Sequence, residues 1–309
     1  MRKTLLATTA LALFSAPALA DTYPVTLRVT DSTGATADQS FNIDVSDSGG
    51  DSGWLTIPAS TLPGSGRSVP SFRVMKHLAR LVGGVATSTP VGAPSYPSPS
   101  YSFFNARTTC QALGEGYDLI TLSQHLAIAH NALAQPANWT GLAPGNGQFI
   151  GGYSTIITAA NADDAQGYAG VTGAQNRRTW LLSNGSVIWD LGGFLSSSGP
   201  VGQWVTCDSG RPGCLANGTI SSSWATFFGT APALASEWST INNLPPENSD
   251  IKPGTYTSAQ NVGRIERVWG TSISGLTMGN WTNNVGGVFG IYATATTATP
   301  MFRCAGPIN

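Results

Sequence analysis

Residues 117–129 read Tyr-Asp-Leu-Ile-Thr-Leu-Ser-Gln-His-Leu-Ala-Ile-Ala, and this stretch decides the fold class. Leu119–Thr121 leads into a helix that we predict from about Ser123 to Ala134. Ser123 is the predicted N-cap because serine is among the residues preferred there. Pro136 ends this helix, since proline cannot continue the backbone hydrogen bonds of a helix interior.

The segments around this stretch predict both helix and strand. Asn105–Leu113 predicts an earlier helix that ends at Gly114, and Ser71–Leu78 predicts a strand. Thr179–Asp190 predicts a β-hairpin. The remaining sequence is rich in Gly, Ser, Thr and Asn, with short strands and long loops. Two main helices within loop-rich β structure indicate the α+β class.

The first 20 residues have the features of a secretory signal peptide. Met1–Lys3 is basic, Thr4–Phe14 is apolar but too short to span a bilayer, and Ala18–Ala20 is a small-x-small cleavage site. We therefore expect residues 1–20 to be removed and the protein to be exported to the cell surface, the extracellular space or a periplasm. The alternative is a retained membrane anchor, and no later stretch is predicted to span a membrane.

Three further segments are predicted after this leader. Residues 21–46 alternate in the manner of β-strands around Asp31–Gly34 and resemble the last hairpin of an immunoglobulin- or cadherin-like module. A lone hairpin is marginally stable in water, so we expect it to add to another sheet in this chain or in a partner. Residues 47–54 predict a flexible linker, and residues 55–309 predict the main domain.

Composition limits the choice of partners. Only 10% of the residues are charged, against about a quarter in average proteins. Without Arg2 and Lys3, 13 basic side chains face 16 acidic ones. No basic patch is present in the sequence, so nucleic acid is not an expected partner. The many hydroxyls, amides and indoles favour a surface that binds a glycan or a protein through hydrogen bonds and stacking.

The four cysteines are Cys110, Cys207, Cys214 and Cys304. An even number in an exported chain favours two disulfides, for which three pairings are possible. The short spacing of Cys207 and Cys214 favours a local bridge, which leaves Cys110 to join the first helix to the last strand through Cys304. A thiolate metal site is the alternative, but these spacings match no zinc pattern.

Short motifs occur along the chain in the order found in one superfamily. They are Pro70–Lys76, Asn105–Gly114, Tyr117–Ala129, Asn138–Gly141, Gly151–Ser154, Val187–Gly193, Gly202–Val205, Val285–Gly290 and Phe302–Cys304. Together they resemble formylglycine-generating-enzyme (sulfatase-modifying-factor) domains of a degenerate bacterial and phage branch. The resemblance implies a loop-rich α+β domain with a C-type-lectin-like fold.

The residues that give this superfamily its chemistry are not found. The resemblance implies copper-binding cysteines within about Gly263–Arg303, but no cysteine precedes Cys304 there, and Thr, Asn or Gly cannot replace a soft thiolate. An iron branch needs clustered histidines. Here His125 and His130 lie on different faces of one predicted helix, and His77 lies on another element. We predict packed histidines and no catalytic residue, while the question of enzymatic activity stays open.

Other chemical patterns have simpler interpretations. Gly64–Ser68 is interpreted as a linker and not as a hydrolase nucleophile elbow. Asp163–Asp164 and Glu237 are the nearest candidates for a glycosidase carboxylate pair, but adjacent acids on a loop are typical of solvated turns. Asp190 is the candidate ligand for a structural calcium, although the neutral Gln203 stands where the family has Glu. No other cofactor is expected.

Aromatic and amide residues cluster before the last motif. The candidate ligand-binding residues are Trp269, Asn280, Trp281, Asn283, Asn284 and Tyr292. The resemblance implies that this region displays a variable binding face, as in related lectin-fold proteins. Aromatic side chains give rigid contact area and asparagines give adaptable hydrogen bonds. The alternative is that Trp269 and Trp281 fill the core.

These features predict a secreted or surface-displayed, non-catalytic ligand-binding or adhesion protein on a lectin-like scaffold. Two alternatives stay open. A divergent formylglycine-generating-type oxidoreductase would contain free thiols and a redox metal. A structural subunit of an extracellular filament or coat would assemble through residues 21–46.

Overall fold

The computed structural model describes residues 21–30, 32–45, 53–88, 102–149, 177–192, 194–196, 199–221, 224–229, 235–237, 241, 243–267, 274–279, 287–297 and 300–308. The chain divides into two compact units, residues 1–52 and residues 53–309. Across the described residues, α-helices combine with several small sheets, which confirms the α+β class. None of the described helices has the length and apolar character needed to cross a bilayer.

The first unit contains a β-hairpin. Strand β1 (Asp21–Thr30) pairs antiparallel with β2 (Thr36–Val45) over ten residue pairs. Arg28 lies opposite Asp38 in this register, and its Nε and Nη2 each donate to one carboxylate oxygen at 2.7 Å. Both side chains are exposed, so solvent screening leaves this ion pair little effect on stability.

The second unit contains many short strands and three described α-helices. In chain order the strands are β3 (Trp54–Ile57), β4 (Ser60–Thr61), β5 (Ser68–Val69), β6 (Phe72–Met75), β7 (Arg80–Val82), β8 (Val85–Thr87), β9 (Asp118–Leu119), β10 (Thr179–Leu181), β11 (Val187–Trp189), β12 (Phe194–Ser196), β13 (Gly199–Val201), β14 (Gln203–Val205), β15 (Ala235–Glu237), β16 (Arg264–Arg267), β17 (Ser274–Met278), β18 (Ile291–Ala295) and β19 (Cys304–Gly306). The helices are α1 (Phe103–Gln111), α2 (Leu122–Leu133) and α3 (Trp224–Phe228), and 3-10 helices span Pro136–Asn138, Pro246–Ile251 and Ser258–Gln260.

Two sheets organise these strands. The larger has the order β14–β17–β18–β16–β15, in which only the β16–β18 pair is parallel. The smaller has the order β3–β6–β19–β9. In this smaller sheet β19 lies between two earlier strands, because Ala305 pairs with Val74 on one side and with Asp118 on the other. The strand pairs β4–β5, β7–β8, β10–β11 and β12–β13 form separate hairpins.

Helix α2 is the central helix of this unit, since nine of its twelve residues are buried. Its N-cap is Thr121, whose Oγ1 accepts from the Gln124 N–H at 3.1 Å. Gln124 Oε1 accepts from the Thr121 N–H at 2.9 Å, which completes a capping box. The prediction of Ser123 as N-cap is therefore wrong. The Ser123 N–H instead donates to a carboxylate from a distant loop, Asp208 Oδ2, at 2.9 Å.

The buried apolar side chains form two clusters. The larger joins α2 to the five-stranded sheet and contains the fully buried Trp139, Trp180 and Phe289. The smaller lies around α1 and includes Phe103 and Trp204, whose rings are 5.5 Å apart in an edge-to-face arrangement. Such aromatic pairs add roughly 0.5–1.5 kcal/mol beyond their buried area.

Candidate functional site

A cleft with a volume of about 340 Å³ lies beside the start of α2. Residues 67–72 line one part of it, Thr121, Ser123 and Gln124 line a second, and Asp208 lines a third. The volume is at the lower end of the range of about 300–1,000 Å³ that is usual for small-molecule sites. Hydroxyl, amide and charged groups therefore meet in a concave surface of a size that suits a small ligand.

A buried arginine supports one wall of this cleft from behind. The Arg211 side chain is 0% exposed. Its Nε donates to Asp208 Oδ2 at 2.9 Å, while Nη1 and Nη2 donate to the two carboxylate oxygens of Asp250 at 2.7 and 2.9 Å. Nη2 also donates to Ser123 Oγ at 2.7 Å. Ser65 Oγ donates to Asp250 Oδ2, and we call Arg211, Asp208, Asp250, Ser123 and Ser65 the Arg211 network.

The electrostatics of this network favour a charged guanidinium. Burial alone would lower the pKa of Arg211, because it removes water from the charged form. The hydrogen bonds and negative charges of Asp250 and Asp208 outweigh that effect and raise the pKa of Arg211 above its usual value. The carboxylates therefore compensate the buried positive charge, and the network is an ion-paired unit.

Asp208 holds the start of α2 and keeps one oxygen unused. Its Oδ2 accepts from the Ser123 N–H and from Ser123 Oγ, both at 2.9 Å, in addition to Arg211. Within the described residues, Asp208 Oδ1 has no hydrogen-bond partner. The side chain is 15% exposed. Asp208 is thus fixed on one side and can accept a hydrogen bond on the other.

Arg67 enters the cleft from an ordered turn. Leu62 and Arg67 are joined by a backbone hydrogen bond of 2.9 Å, and the Arg67 N–H donates to Ser65 Oγ at 3.2 Å. Ser65 Oγ in turn donates to Asp250 Oδ2 at 2.6 Å, so the turn belongs to the Arg211 network. The interpretation of Gly64–Ser68 as a linker is therefore wrong. Among the described residues, the buried Arg67 Nε has no hydrogen-bond partner.

Both predicted disulfides are present in the structure. Cys207 is bonded to Cys214 and Cys110 to Cys304, which accounts for all four cysteines of the chain. The first bridge closes a loop that carries Asp208 and Arg211. Backbone hydrogen bonds from Arg211 to Asp208 and from Cys214 to Arg211 tighten this loop. A local covalent closure therefore positions the two charged residues of the cleft wall.

A second buried arginine, Arg303, lies in the core. Its Nε donates to Gln203 Oε1 at 3.2 Å. Its Nη1 donates to the carbonyls of Met75 and Lys76, and its Nη2 donates to the carbonyl of Trp189. Burial lowers the pKa of Arg303 to about 10, against a smaller opposite effect of Asp190. These contacts join the ends of β6 and β11 to the start of β14.

His125 extends this second network, and we call Arg303, Gln203 and His125 the Arg303 network. His125 Nε2 lies 2.8 Å from the Val288 carbonyl, which can only accept, so Nε2 carries the proton. His125 Nδ1 then accepts from Gln203 Nε2 at 3.0 Å. Burial, followed by the positive charge of Arg303, lowers the pKa of His125 to about 4, although the Val288 contact opposes this.

The other two histidines occupy separate buried positions. The His77 ring lies 5.3 Å from the Trp189 ring, and burial lowers the pKa of His77 to about 4. His130 Nε2 contacts the Asp250 carbonyl at 2.8 Å, and burial lowers its pKa as well. The structure therefore does not bring the three histidines together. Across the described residues, no group of three or more His, Cys, Asp or Glu side chains is placed to hold a metal ion.

The calcium candidate Asp190 already has a cationic partner. Arg178 Nε and Nη2 donate to its two carboxylate oxygens at 2.6 and 2.8 Å, and both side chains are buried. A calcium ion at this carboxylate would have to displace a bidentate guanidinium. The prediction of a structural calcium stays untested.

The predicted C-terminal binding face lies mostly outside the described residues. Trp269, Asn280, Trp281, Asn283 and Asn284 are not described. Tyr292 lies in β18, half-buried, opposite Thr277, whose Oγ1 donates to the Tyr292 carbonyl at 3.0 Å. Of the carboxylate candidates, Asp163 and Asp164 are also outside the described residues, and Glu237 lies in β15.

The function of this chain has to be argued from the geometry of the site. No protein-family model matches the chain, and no curated protein matches it. The resemblance to formylglycine-generating-enzyme domains therefore stays a prediction. Two sequence signals of the cleft were available: the Thr121-x-x-Gln124 capping box, and the acid and base three residues apart inside the short cysteine loop.

Proposed function

We propose that this chain is an exported, non-catalytic binding protein on a C-type-lectin-like scaffold, with a ligand site in the cleft at the start of α2. One observation carries the proposal: the Arg211 network fixes Asp208 and Ser123 in place, while Asp208 Oδ1 keeps an unused acceptor position. Binding sites need a few polar groups held in fixed positions by supporting hydrogen bonds.

The hydrogen bonds of the cleft favour binding over catalysis. Ser123 Oγ has one hydrogen, which it donates to Asp208, and no histidine contacts it among the described residues. A serine nucleophile needs a neighbouring base that accepts this proton. The carboxylates of Asp208 and Asp250 are both engaged by one guanidinium, that of Arg211, which supports a positioning role for them.

The scaffold assignment has indirect support. The unit has two main helices, short strands and long connections. Its last described strand, β19, pairs with the early strand β6 and is linked to α1 through the Cys110–Cys304 bridge. These features agree with the lectin-like fold that the sequence motifs imply. The two disulfides also support export to an oxidising compartment.

Each alternative function has a simple test. A formylglycine-generating-type oxidoreductase needs reduced cysteines, whereas both pairs are bridged in the structure. The test is a thiol titration of the protein, unfolded without reductant. Two free thiols would support the oxidoreductase alternative. A filament subunit would form large particles, and deletion of residues 21–46 would abolish them in size-exclusion chromatography.

The binding proposal is tested by filling the cleft from its rim. Ser71 is exposed and lines the cleft, so Ser71→Trp places an indole in it without disturbing the core. Ser209 is exposed on the cysteine loop but does not line the cleft, so Ser209→Trp is the matched control. Both variants and the wild type are compared in binding to whole cells, to immobilised glycans and to proteins.

The outcomes distinguish a binding site in the cleft from one on the predicted C-terminal binding face. We expect wild type and Ser209→Trp to bind equally and Ser71→Trp to bind at least about tenfold more weakly, a difference of about 1.4 kcal/mol. A loss caused by Trp281→Ala, with Ser71→Trp unchanged, would move the site to the C-terminal face. No binding by the wild type to any surface would contradict the proposed function.

A further inference from the structure

The unused hydrogen-bonding groups of the cleft include a donor and an acceptor. Gln124 Oε1 is engaged by the Thr121 N–H, and within the described residues its Nε2 has no partner. Asp208 Oδ1 is an unused acceptor there, whereas Arg67 Nε also has no partner but is buried and cannot contact a ligand. A ligand that satisfies this wall must both donate and accept hydrogen bonds.

The charges of this region balance. Arg67 and Arg211 carry two positive charges, and Asp208 and Asp250 carry two negative charges. An anionic ligand would place its charge against Asp208 Oδ1, and a cationic ligand would place its charge against Arg67. Both contacts cost free energy in a site that is partly removed from water. The cleft therefore favours a ligand without net charge.

From these two observations we propose that the cleft binds an uncharged saccharide, such as one end of a neutral oligosaccharide. This inference rests on the proposed function and names its ligand class. A sugar hydroxyl can both donate to Asp208 Oδ1 and accept from Gln124 Nε2. The exposed Pro70 and Pro307 add apolar surface for the C–H faces of a sugar ring.

A peptide ligand fits these features less well. Extended peptides bind by adding a strand to a free sheet edge, and their affinity comes from main-chain hydrogen bonds. The strand at this cleft, β5, has two residues, Ser68 and Val69. The unused groups are polar atoms of side chains and not a row of backbone N–H and C=O groups. Peptide binding is therefore an alternative outcome of the test.

The first experiment measures ligand charge preference. Wild type, Ser71→Trp and Ser209→Trp are applied to arrays of uncharged hexose and N-acetylhexosamine oligomers, uronic-acid oligomers and cationic glucosamine oligomers. We expect the uncharged oligomers to bind at least about tenfold more tightly than either charged class. Ser71→Trp should lose this binding by at least about tenfold and Ser209→Trp should retain it. Best binding by the uronic-acid oligomers would overturn the inference.

A charge reversal gives a gain of binding that misfolding cannot imitate. Arg67 is partly exposed, so Arg67→Glu makes the cleft acidic without removing a core side chain. We expect it to bind cationic glucosamine oligomers at least about tenfold more tightly than the wild type does, with Arg67→Gln intermediate. A folded Arg67→Glu protein that keeps the wild-type preference would overturn the inference.

Two results distinguish this inference from the proposed function. If no array sugar binds but Ser71→Trp loses binding to a protein or peptide, the saccharide inference fails and the proposed function stands. If no binding of any kind depends on Ser71, both fail at this cleft. Circular dichroism and thermal unfolding of each variant confirm that it is folded before its binding is compared.

Discussion

Arg211 and Arg303, both fully buried, differ in the chemistry of their partners. Arg211 contacts two carboxylates, and its pKa lies above the usual value. Arg303 contacts three backbone carbonyls and one amide oxygen, and its pKa is lowered to about 10. Carboxylates compensate charge and accept hydrogen bonds, whereas carbonyls only accept hydrogen bonds. Equal burial therefore leaves the two guanidiniums in opposite electrostatic situations.

The two arginines also differ in which parts of the molecule they connect. The donors of Arg303 meet acceptors from three separate segments, those containing Met75, Trp189 and Gln203. The Arg211 network reaches Asp208 and Ser123 at the cleft. We infer that Arg303 chiefly stabilises the fold and that Arg211 chiefly positions groups for a ligand.

The largest effect is expected for Arg303→Leu. The substitution removes the donor from three buried acceptors, the Met75 and Trp189 carbonyls and the Gln203 amide oxygen, whereas the Lys76 carbonyl keeps its hydrogen bond from the Trp189 N–H. At about 1–3 kcal/mol for each unpaired acceptor, the free energy of unfolding should fall by at least about 3 kcal/mol. Urea unfolding followed by tryptophan fluorescence measures this. Arg107→Leu, which removes a part-exposed ion pair with Asp118, is the control and should cost about 1 kcal/mol or less. A change of under about 1 kcal/mol for Arg303→Leu would remove the contrast between the two networks.

Arg211→Leu should cost about 3–5 kcal/mol, because it leaves the carboxylate of Asp250 buried and uncompensated. Adding Asp250→Leu should restore about 1 kcal/mol or more, since the unpaired charge is then gone. The same unfolding assay measures both variants. Arg303→Leu has no equivalent rescue because most of its partners are backbone carbonyls. A double variant as unstable as the sum of the two single variants would contradict the ion-pair description.

Acid should weaken the Arg303 network through His125. The pKa of His125 is about 4 in the folded state against the ordinary histidine value of 6.5, so between these values the unfolded chain binds the proton and the folded chain does not. Stability is therefore lost as pH falls from about 6.5 to about 4, by roughly 3 kcal/mol from this residue. His125→Gln should flatten the pH dependence of urea unfolding by that amount. Arg211→Leu should keep the part of the pH dependence that His125 contributes, because His125 contacts Val288 and Gln203 and not the Arg211 network.

The smallest effect is expected for the double substitution of Cys207 and Cys214 by serine. The bridge spans seven positions, and releasing so short a loop should cost about 2 kcal/mol by the chain-entropy relation. Because the loop carries Asp208 and Arg211, ligand binding should weaken more than the modest change in stability implies. Array binding and urea unfolding of the same preparation test both effects. Wild-type binding by this variant would show that the bridge does not position the cleft wall.

Local sequence signals predicted the local structure. The helix around α2, the hairpin that contains β10 and β11, and the short cysteine bridge depend on neighbouring residues, and all three are present. The error at the N-cap of α2 has a physical reason. Thr121 and Ser123 both carry hydroxyls, and the choice between them depends on the capping partner Gln124 and on the distant Asp208.

The five-stranded sheet and the cleft were not predicted, because both are assembled from distant segments. Strands such as β14 and β16 have three or four residues within Gly- and Thr-rich sequence, which gives no clear alternation. The cleft combines Arg67, Ser123 and Asp208, which are separated by tens of residues. Composition suggested a linker at Arg67, and only the ordered contact from Ser65 to Asp250 shows otherwise.

The central place of β19 in its sheet sets a condition on biosynthesis. Strands β6 and β9 cannot be joined until Cys304–Gly306 has left the ribosome, because β19 pairs with both. A nascent chain that stops before Cys304 keeps two unpaired strand edges and an unbridged Cys110. A nonsense mutation that removes only the last few residues would therefore leave an aggregation-prone product.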